Sequence, residues 1–225
     1  MTTTVTFLGH GTFQIDIDER TVLIDPFFTG NPAASTTADA VAADAIIVSH
    51  GHGDHIGDTI AIAKRTGALV IANHEIADWL GNQGIENRHA QHIGGAHEFD
   101  FGTVKFTIAH HGSMLPDGAN GGNPCGILLK TVDGSIYHAA DTGLFYDMKL
   151  IGEIYSPDVA VLPIGDHFTM GPKEAFYATK LIGAKHVIPF HYGTFPVLVG
   201  TPEEYIELVK DLDVNVYVLN PGDVI

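Results

Sequence analysis

The run Ser49-His50-Gly51-His52-Gly53-Asp54-His55 constrains this 225-residue chain more than any other feature. It sets three imidazoles and a carboxylate within six residues, directly after the apolar run Ala45-Ile46-Ile47-Val48, which reads as a buried strand. With 14 histidines in the chain, an H-x-H-x-D-H pattern is expected by chance only about 0.004 times, so accident is a poor explanation. Offsets of two, four and five residues cannot share one helical face, so the four groups need a sharply turned loop. Gly51 and Gly53 permit that turn. The following Gly57-Asp58 and a helix-like run put Asp54 and His55 near a helix start, where backbone amides favour a carboxylate. A merely polar loop with Asp54 as a cap would leave three histidines unexplained. Imidazole and carboxylate donors point to a divalent metal, with Zn the default for hydrolysis and Mn, Fe or Ni accepting the same donors.

Two ions about 3.5 to 4 Å apart can share one hydroxide nucleophile, and each then needs further ligands from elsewhere in the chain. Three candidates follow apolar runs in the same strand-then-loop manner: His110-His111-Gly112-Ser113, Asp141-Thr142-Gly143 and His191-Tyr192-Gly193. Within the doublet, either His110 or His111 fits.

Short apolar runs recur at Val5 to Leu8, Thr21 to Ile24, Leu69 to Ile71, Val104 to Ile108, Gly126 to Lys130, Ser135 to His138, Val159 to Pro163 and His186 to Phe190. Helix-like stretches cover Asp58 to Arg65, Glu75 to Leu80, Lys173 to Ile182 and Glu203 to Lys210. This α/β order predicts two sheets packed face to face with helices outside, in a single domain over residues 1–225. The Gly/Asn/Pro-rich stretch Pro116 to Pro124 reads as a loop near the site.

A formal net charge of -16 repels phosphate backbones and anionic membrane surfaces. The expected partner is a small-molecule substrate, with no nucleic acid and no membrane; a homo-oligomer is left open. The single cysteine, Cys125, excludes an intramolecular disulfide and reads as a small residue in a turn rather than a nucleophile. Met1 to Gly9 looks like a strand rather than a signal peptide, and no apolar run reaches membrane-spanning length, so a cytoplasmic location is expected.

From Leu8-Gly9-His10 and Leu23-Ile24-Asp25-Pro26 to Pro189-Phe190-His191, the chain resembles the metallo-β-lactamase superfamily over nearly its whole length. The runs His92-Ile93-Gly94-Gly95, Asp147-Met148-Lys149-Leu150-Ile151-Gly152, Leu162-Pro163-Ile164-Gly165-Asp166 and Phe168-Thr169-Met170-Gly171-Pro172 look more specifically like small metal-dependent hydrolases related to ascorbate-phosphate lactonases. The resemblance implies a four-layer αββα sandwich, with one ion on His50, His52 and His111, a second on Asp54, His55 and His191, and Asp141 bridging them. It selects His111 over His110, whose place is then the pocket wall or a supporting position. One departure stands out: the family usually has Gly before the bridging Asp, whereas this chain has Ala140, which puts the local backbone in question.

Asp25 reads as structural, fixing loop amides or supporting ligand histidines. His10 and His138 read similarly, with their facing left open. The expected reaction is attack of a metal-activated hydroxide on an ester, lactone, amide or phosphoester, with Asp54 and Asp141 as the catalytic carboxylates. A pocket histidine, His167 or His138, is the candidate to protonate the leaving group. The rivals are an iron-dependent redox member of the fold, a metal-binding sensor without turnover, and a nuclease. The redox relatives carry an acidic residue where this chain has His52.

Overall fold

Strands that read as unbroken apolar runs turn out to be covered on both faces in the computed structural model, which describes residues 3–225. Met1 and Thr2, the first residues of an expected strand, lie outside the described residues. In chain order the first half comprises β1 (Thr3–Gly9), β2 (Thr12–Ile17), β3 (Arg20–Ile24), β4 (Ala45–Ile47), α1 (Gly53–Ile56), α2 (Thr59–Thr66), β5 (Leu69–Asn73), α3 (His74–Asn82) and β6 (Arg88–Gln91). The second half comprises β7 (Ala96–Phe99), β8 (Gly102–Ile108), β9 (Cys125–Lys130), β10 (Ser135–His138), α4 (Met148–Tyr155), β11 (Val159–Pro163), α5 (Pro172–Ile182), β12 (His186–Phe190), α6 (Pro202–Val209) and β13 (Asn215–Val216).

Strands β1 to β6 form one sheet in sequence order, and β7 to β13 form the other. Each sheet opens with antiparallel neighbours and ends with parallel ones, the change falling at β3 in the first and β10 in the second. The period-two alternation of strand side chains then assigns the layers. Val22, Ile24, Ile47, Ile71, Ile127, Leu129, Val161 and Ile188 point into a core shared by the two sheets. Their neighbours Leu23, Ile46 and Val70 instead meet Ile62 of α2 and Ile76 and Leu80 of α3. On the other side Leu128, Ala160, Leu162 and Val187 meet Met148, Ile151, Ala175, Ala178, Tyr205 and Val209 of α4, α5 and α6. The result is the expected four-layer αββα sandwich.

Several elements escape the apolar-run reading. Strand β2 alternates cleanly, with Phe13, Ile15 and Ile17 buried and Gln14 and Asp16 only partly so. The edge strands β6 and β7 are largely exposed and carry few apolar residues, so they have little signal to give. Helix α4 was visible only as a motif, because it also shows Leu150 and Ile154 to solvent. No helix among the described residues is long and apolar enough to cross a membrane.

The sandwich edge at the C-terminal ends of β4, β8, β10 and β12 gathers the four ligand-bearing segments, the usual position for ligands in such sheets. Asn73, at the end of β5, anchors that edge. Its Oδ1 accepts from Ile76 N at 2.8 Å, capping α3, and its Nδ2 donates to the carbonyls of Gly121 at 2.6 Å and Asn123 at 2.9 Å. Asn73→Ala removes the cap and two hydrogen bonds to the 121–123 loop, so we expect a loss of about 2–3 kcal/mol in denaturant unfolding. A loss below about 0.5 kcal/mol would contradict this role.

Candidate metal centre

The turn after β4 is close-packed rather than simply flexible. A Cβ on Gly51 would sit 2.9 Å from the Ser113 carbonyl oxygen, so only glycine lets the 113–121 loop approach. Gly53, by contrast, has open space around it and begins α1, so of the two glycines expected to permit the turn only Gly51 is required by close packing. Ser113 Oγ accepts from Gly51 N and donates to Gly121 O, joining this turn to the loop that Asn73 holds. The Pro116 to Pro124 stretch does therefore lie beside the site. Asp54 and His55 fall in α1, with Asp54 in its first turn.

All seven expected ligands converge. His50 Nε2 and His111 Nε2 lie 3.1 and 3.2 Å from His52 Nδ1. Asp54, His55 and His191 form a second group, which His10 joins. Asp141 Oδ2 reaches both groups, at 3.2 Å from His55 Nε2, 3.0 Å from His191 Nε2 and 3.6 Å from His111 Nε2. His110 belongs to neither group; its ring lies 4.9 Å from that of Phe145, and its backbone N donates to Thr142 Oγ1.

The supporting contacts fix which nitrogens face inward. Asp25 accepts from Ser49 N at 2.7 Å, from Ser49 Oγ, and from His55 Nδ1 at 2.9 Å, leaving His55 Nε2 for the centre. His10 sits 3.1 Å from Asp54 Oδ2 through Nε2 and 3.0 Å from Thr194 Oγ1 through Nδ1. Ser49 opens the histidine run, but the run does not reveal its supporting role, and Thr194 carries no motif that would have found it.

A cation suits this donor set. His55 Nε2, Asp141 Oδ1 and both ring nitrogens of His191 are buried without a hydrogen-bond partner, an arrangement rare in folded proteins unless something else satisfies the atoms. Backbone strain also gathers here: His10, Asp25, Ala140 and His191 all adopt left-handed φ values of 60°, 47°, 58° and 57°. Ala140 thus keeps the conformation that glycine would adopt without strain, and the departure from the family pattern leaves Asp141 in place.

Residues 20–192 match the family described as the Beta-lactamase superfamily domain. The chain is 52% identical over 212 residues, 92% of each protein, to a UPF0173 metal-dependent hydrolase of Bacillus mycoides. The chain belongs to this family of metal-dependent hydrolases. It is also similar to Igni18, a novel metallo hydrolase from the archaeon Ignicoccus hospitalis, with TM-score 0.91 and 36% identity over 100% of this chain and 98% of that one. The metallo-β-lactamase fold protein YhfI of Bacillus subtilis shares the fold at TM-score 0.76 and 16% identity, over 99% and 98% of the two chains.

In this hydrolase the protonation states follow from burial and neighbours. Burial pushes His50 well below the ordinary imidazole range, with the nearby His55 adding to the effect. His52 and His111 are lowered chiefly by burial as well. Burial would also lower His55, but Asp141 and Asp25 outweigh it and hold that ring well above its usual value. Burial would raise both carboxylates, yet His191 and His55 depress Asp141, and the hydrogen bond to His10 together with the charge of His55 depresses Asp54. Ionised Asp54 and Asp141 beside neutral His50, His52 and His111 are the states a metal site requires, and His55 would release its proton as an ion binds.

The centre opens into a cleft of about 290 Å³ lined by His52, Asp54, His111, Asp141, Phe168 and His191. Neither histidine expected to protonate a leaving group lines it. His138 is wedged in the core, with ring centroids 5.3 Å from Phe13 and 4.7 Å from Phe190, and burial pushes it down to about 4. His167 is exposed. Cys125 opens strand β9 rather than sitting in the expected turn; it is fully buried in the core between the sheets, and burial pushes its thiol up to about 12.

Proposed function

We propose that this chain hydrolyses a small-molecule ester, lactone or phosphoester at a two-metal centre. His50, His52 and His111 would hold one ion and Asp54, His55 and His191 the other, with Asp141 placed within reach of both groups. The observation that carries this reading is the Asp141 carboxylate, within 3.6 Å of nitrogens from both groups and buried with one oxygen unpartnered. Zinc suits nitrogen and oxygen donors of this kind, and Mn, Fe and Ni accept them too. When bound, the two ions supply water activation near neutral pH and polarisation of the substrate oxygen.

The chain's own groups do the positioning. Asp25 and Ser49 aim His55 and His50, so their inward nitrogens are fixed before any ligand arrives. His10 braces Asp54 from behind, leaving that partly exposed carboxylate to bind and to orient the attacking water at the cleft floor. The cleft volume suits a small molecule, and the net charge of -16 disfavours nucleic acid.

A turnover screen across lactones, phosphodiesters and thioesters, on protein reconstituted with known metals, tests the proposal. We expect hydrolysis of at least one class, abolished by chelation and restored by metal. Activity with the productive substrate rises from pH 5 to neutrality even with excess metal present, as water activation requires. A rate that stays flat across that range at constant metal occupancy would contradict it.

A further inference from the structure

The geometry points to Phe168 as a specificity-determining residue, selecting substrates that carry an apolar alkyl or aryl group beside the scissile bond; this rests on the hydrolytic two-metal reading above. Of the six residues lining the cleft, five belong to the histidine and aspartate constellation, and Phe168 supplies the apolar wall. One exposed phenyl ring is ordinary on a protein surface. The backbone beneath this one is not.

Asp166 and His167 are both left-handed, with φ of 61° and 59°. Two successive residues with side chains keep that conformation only where their surroundings impose it. Here Asp166 N donates to Met170 O at 3.0 Å, Phe168 N to Asp166 O at 2.6 Å, and His167 N to Asp166 Oδ1 at 2.7 Å. The turn is tied to the centre at both ends. Met170 N donates to the carbonyl of Thr142, next to Asp141, and a Cβ on Gly165 would lie 2.0 Å from the carbonyl oxygen of His191. The His167 ring meets the Phe168 ring edge-on, centroids 4.5 Å apart at 89°. Phe168 is therefore held in register with two of the metal-binding residues, although it is 56% exposed. A ring so placed offers an apolar face to whatever projects from a group bound at the centre, and it gives a second phosphate or carboxylate no cation to meet. The substrate class is accordingly a neutral ester, thioester or lactone with an apolar substituent.

Calorimetric titration of the zinc-loaded protein with 2-mercaptoethanol and with benzyl mercaptan tests this. Both thiols have a sulfur suited to zinc, and only the second carries a ring. The preference for benzyl mercaptan is expected to be about five- to tenfold larger in the wild type than in Phe168→Ala, as loss of an aromatic contact implies. Phe168→Tyr is expected to retain it. An equal preference in wild type and Phe168→Ala, with both thiols bound, overturns the role of Phe168 and leaves the metal centre standing. Failure of both thiols to bind the zinc-loaded wild type overturns both.

Discussion

Asp141→Ala is expected to lower turnover per folded molecule by at least about 10³-fold, whereas Asp25→Ala lowers it by about 10- to 100-fold. Both carboxylates are buried, and both touch His55, at 3.2 Å for Asp141 and 2.9 Å for Asp25. Their surroundings differ. Asp141 also reaches His191 and His111 and keeps an unpartnered oxygen, so its removal takes a shared contact from both groups. Both oxygens of Asp25 are already engaged by Ser49 and His55, although it also lies close to His50. The order reverses for stability: breaking the buried Asp25 contacts costs about 3–5 kcal/mol, while Asp141→Ala relieves a carboxylate that is incompletely satisfied. Initial rates normalised to folded protein, alongside denaturant unfolding, check both halves. Asp25→Ala being the more damaging to turnover at unchanged stability would reverse the assignment.

Chelation is expected to lower the thermal midpoint by about 10 °C. A ligand at a thousandfold excess over its Kd stabilises by about 4 kcal/mol, and each kcal/mol shifts a chain of this size by about 2–4 °C. Without metal, three imidazole nitrogens remain within 3.2 Å of a neighbour in the first group. The chelated protein should weaken further as pH falls from 6.5 towards 4. His10, His50 and His138 have folded values below their unfolded value of 6.5, reaching about 4 for His10 and His138, so the unfolded chain takes up protons first. His55 shifts upward, and its contribution is already complete below 6.5; it is lost only as pH rises through its folded value. Differential scanning calorimetry with and without chelator, at several pH values, measures both effects. A midpoint unmoved by chelation would mean that the histidine cluster needs no ion.

What the sequence shows of this centre depends on how each residue is constrained. His50, His52, Asp54 and His55 are legible because a tight turn forces them into consecutive positions. His111, Asp141 and His191 are legible only as polar residues after apolar strands, since their convergence is a product of sheet topology. The choice between His110 and His111 came from family resemblance, and it is His111 that lies beside His52. Ser49 and Phe168 stand inside motifs that do not reveal their contacts with Asp25 and the cleft, and Thr194 meets His10 through a tertiary contact that no local pattern encodes. Two sheets with helices outside followed from the order of apolar runs and helix-like stretches, and the four layers from the resemblance, but edge strands β6 and β7 and the half-exposed α4 bury too little to announce themselves.

Metal content of the purified, reconstituted protein tests the central claim most directly. The account predicts about two divalent ions per chain in the wild type, falling towards one in His50→Ala and in His111→Ala, because each variant strips the group around His52 and leaves the Asp54, His55 and His191 group intact. A content near two that is unchanged in both variants would contradict it.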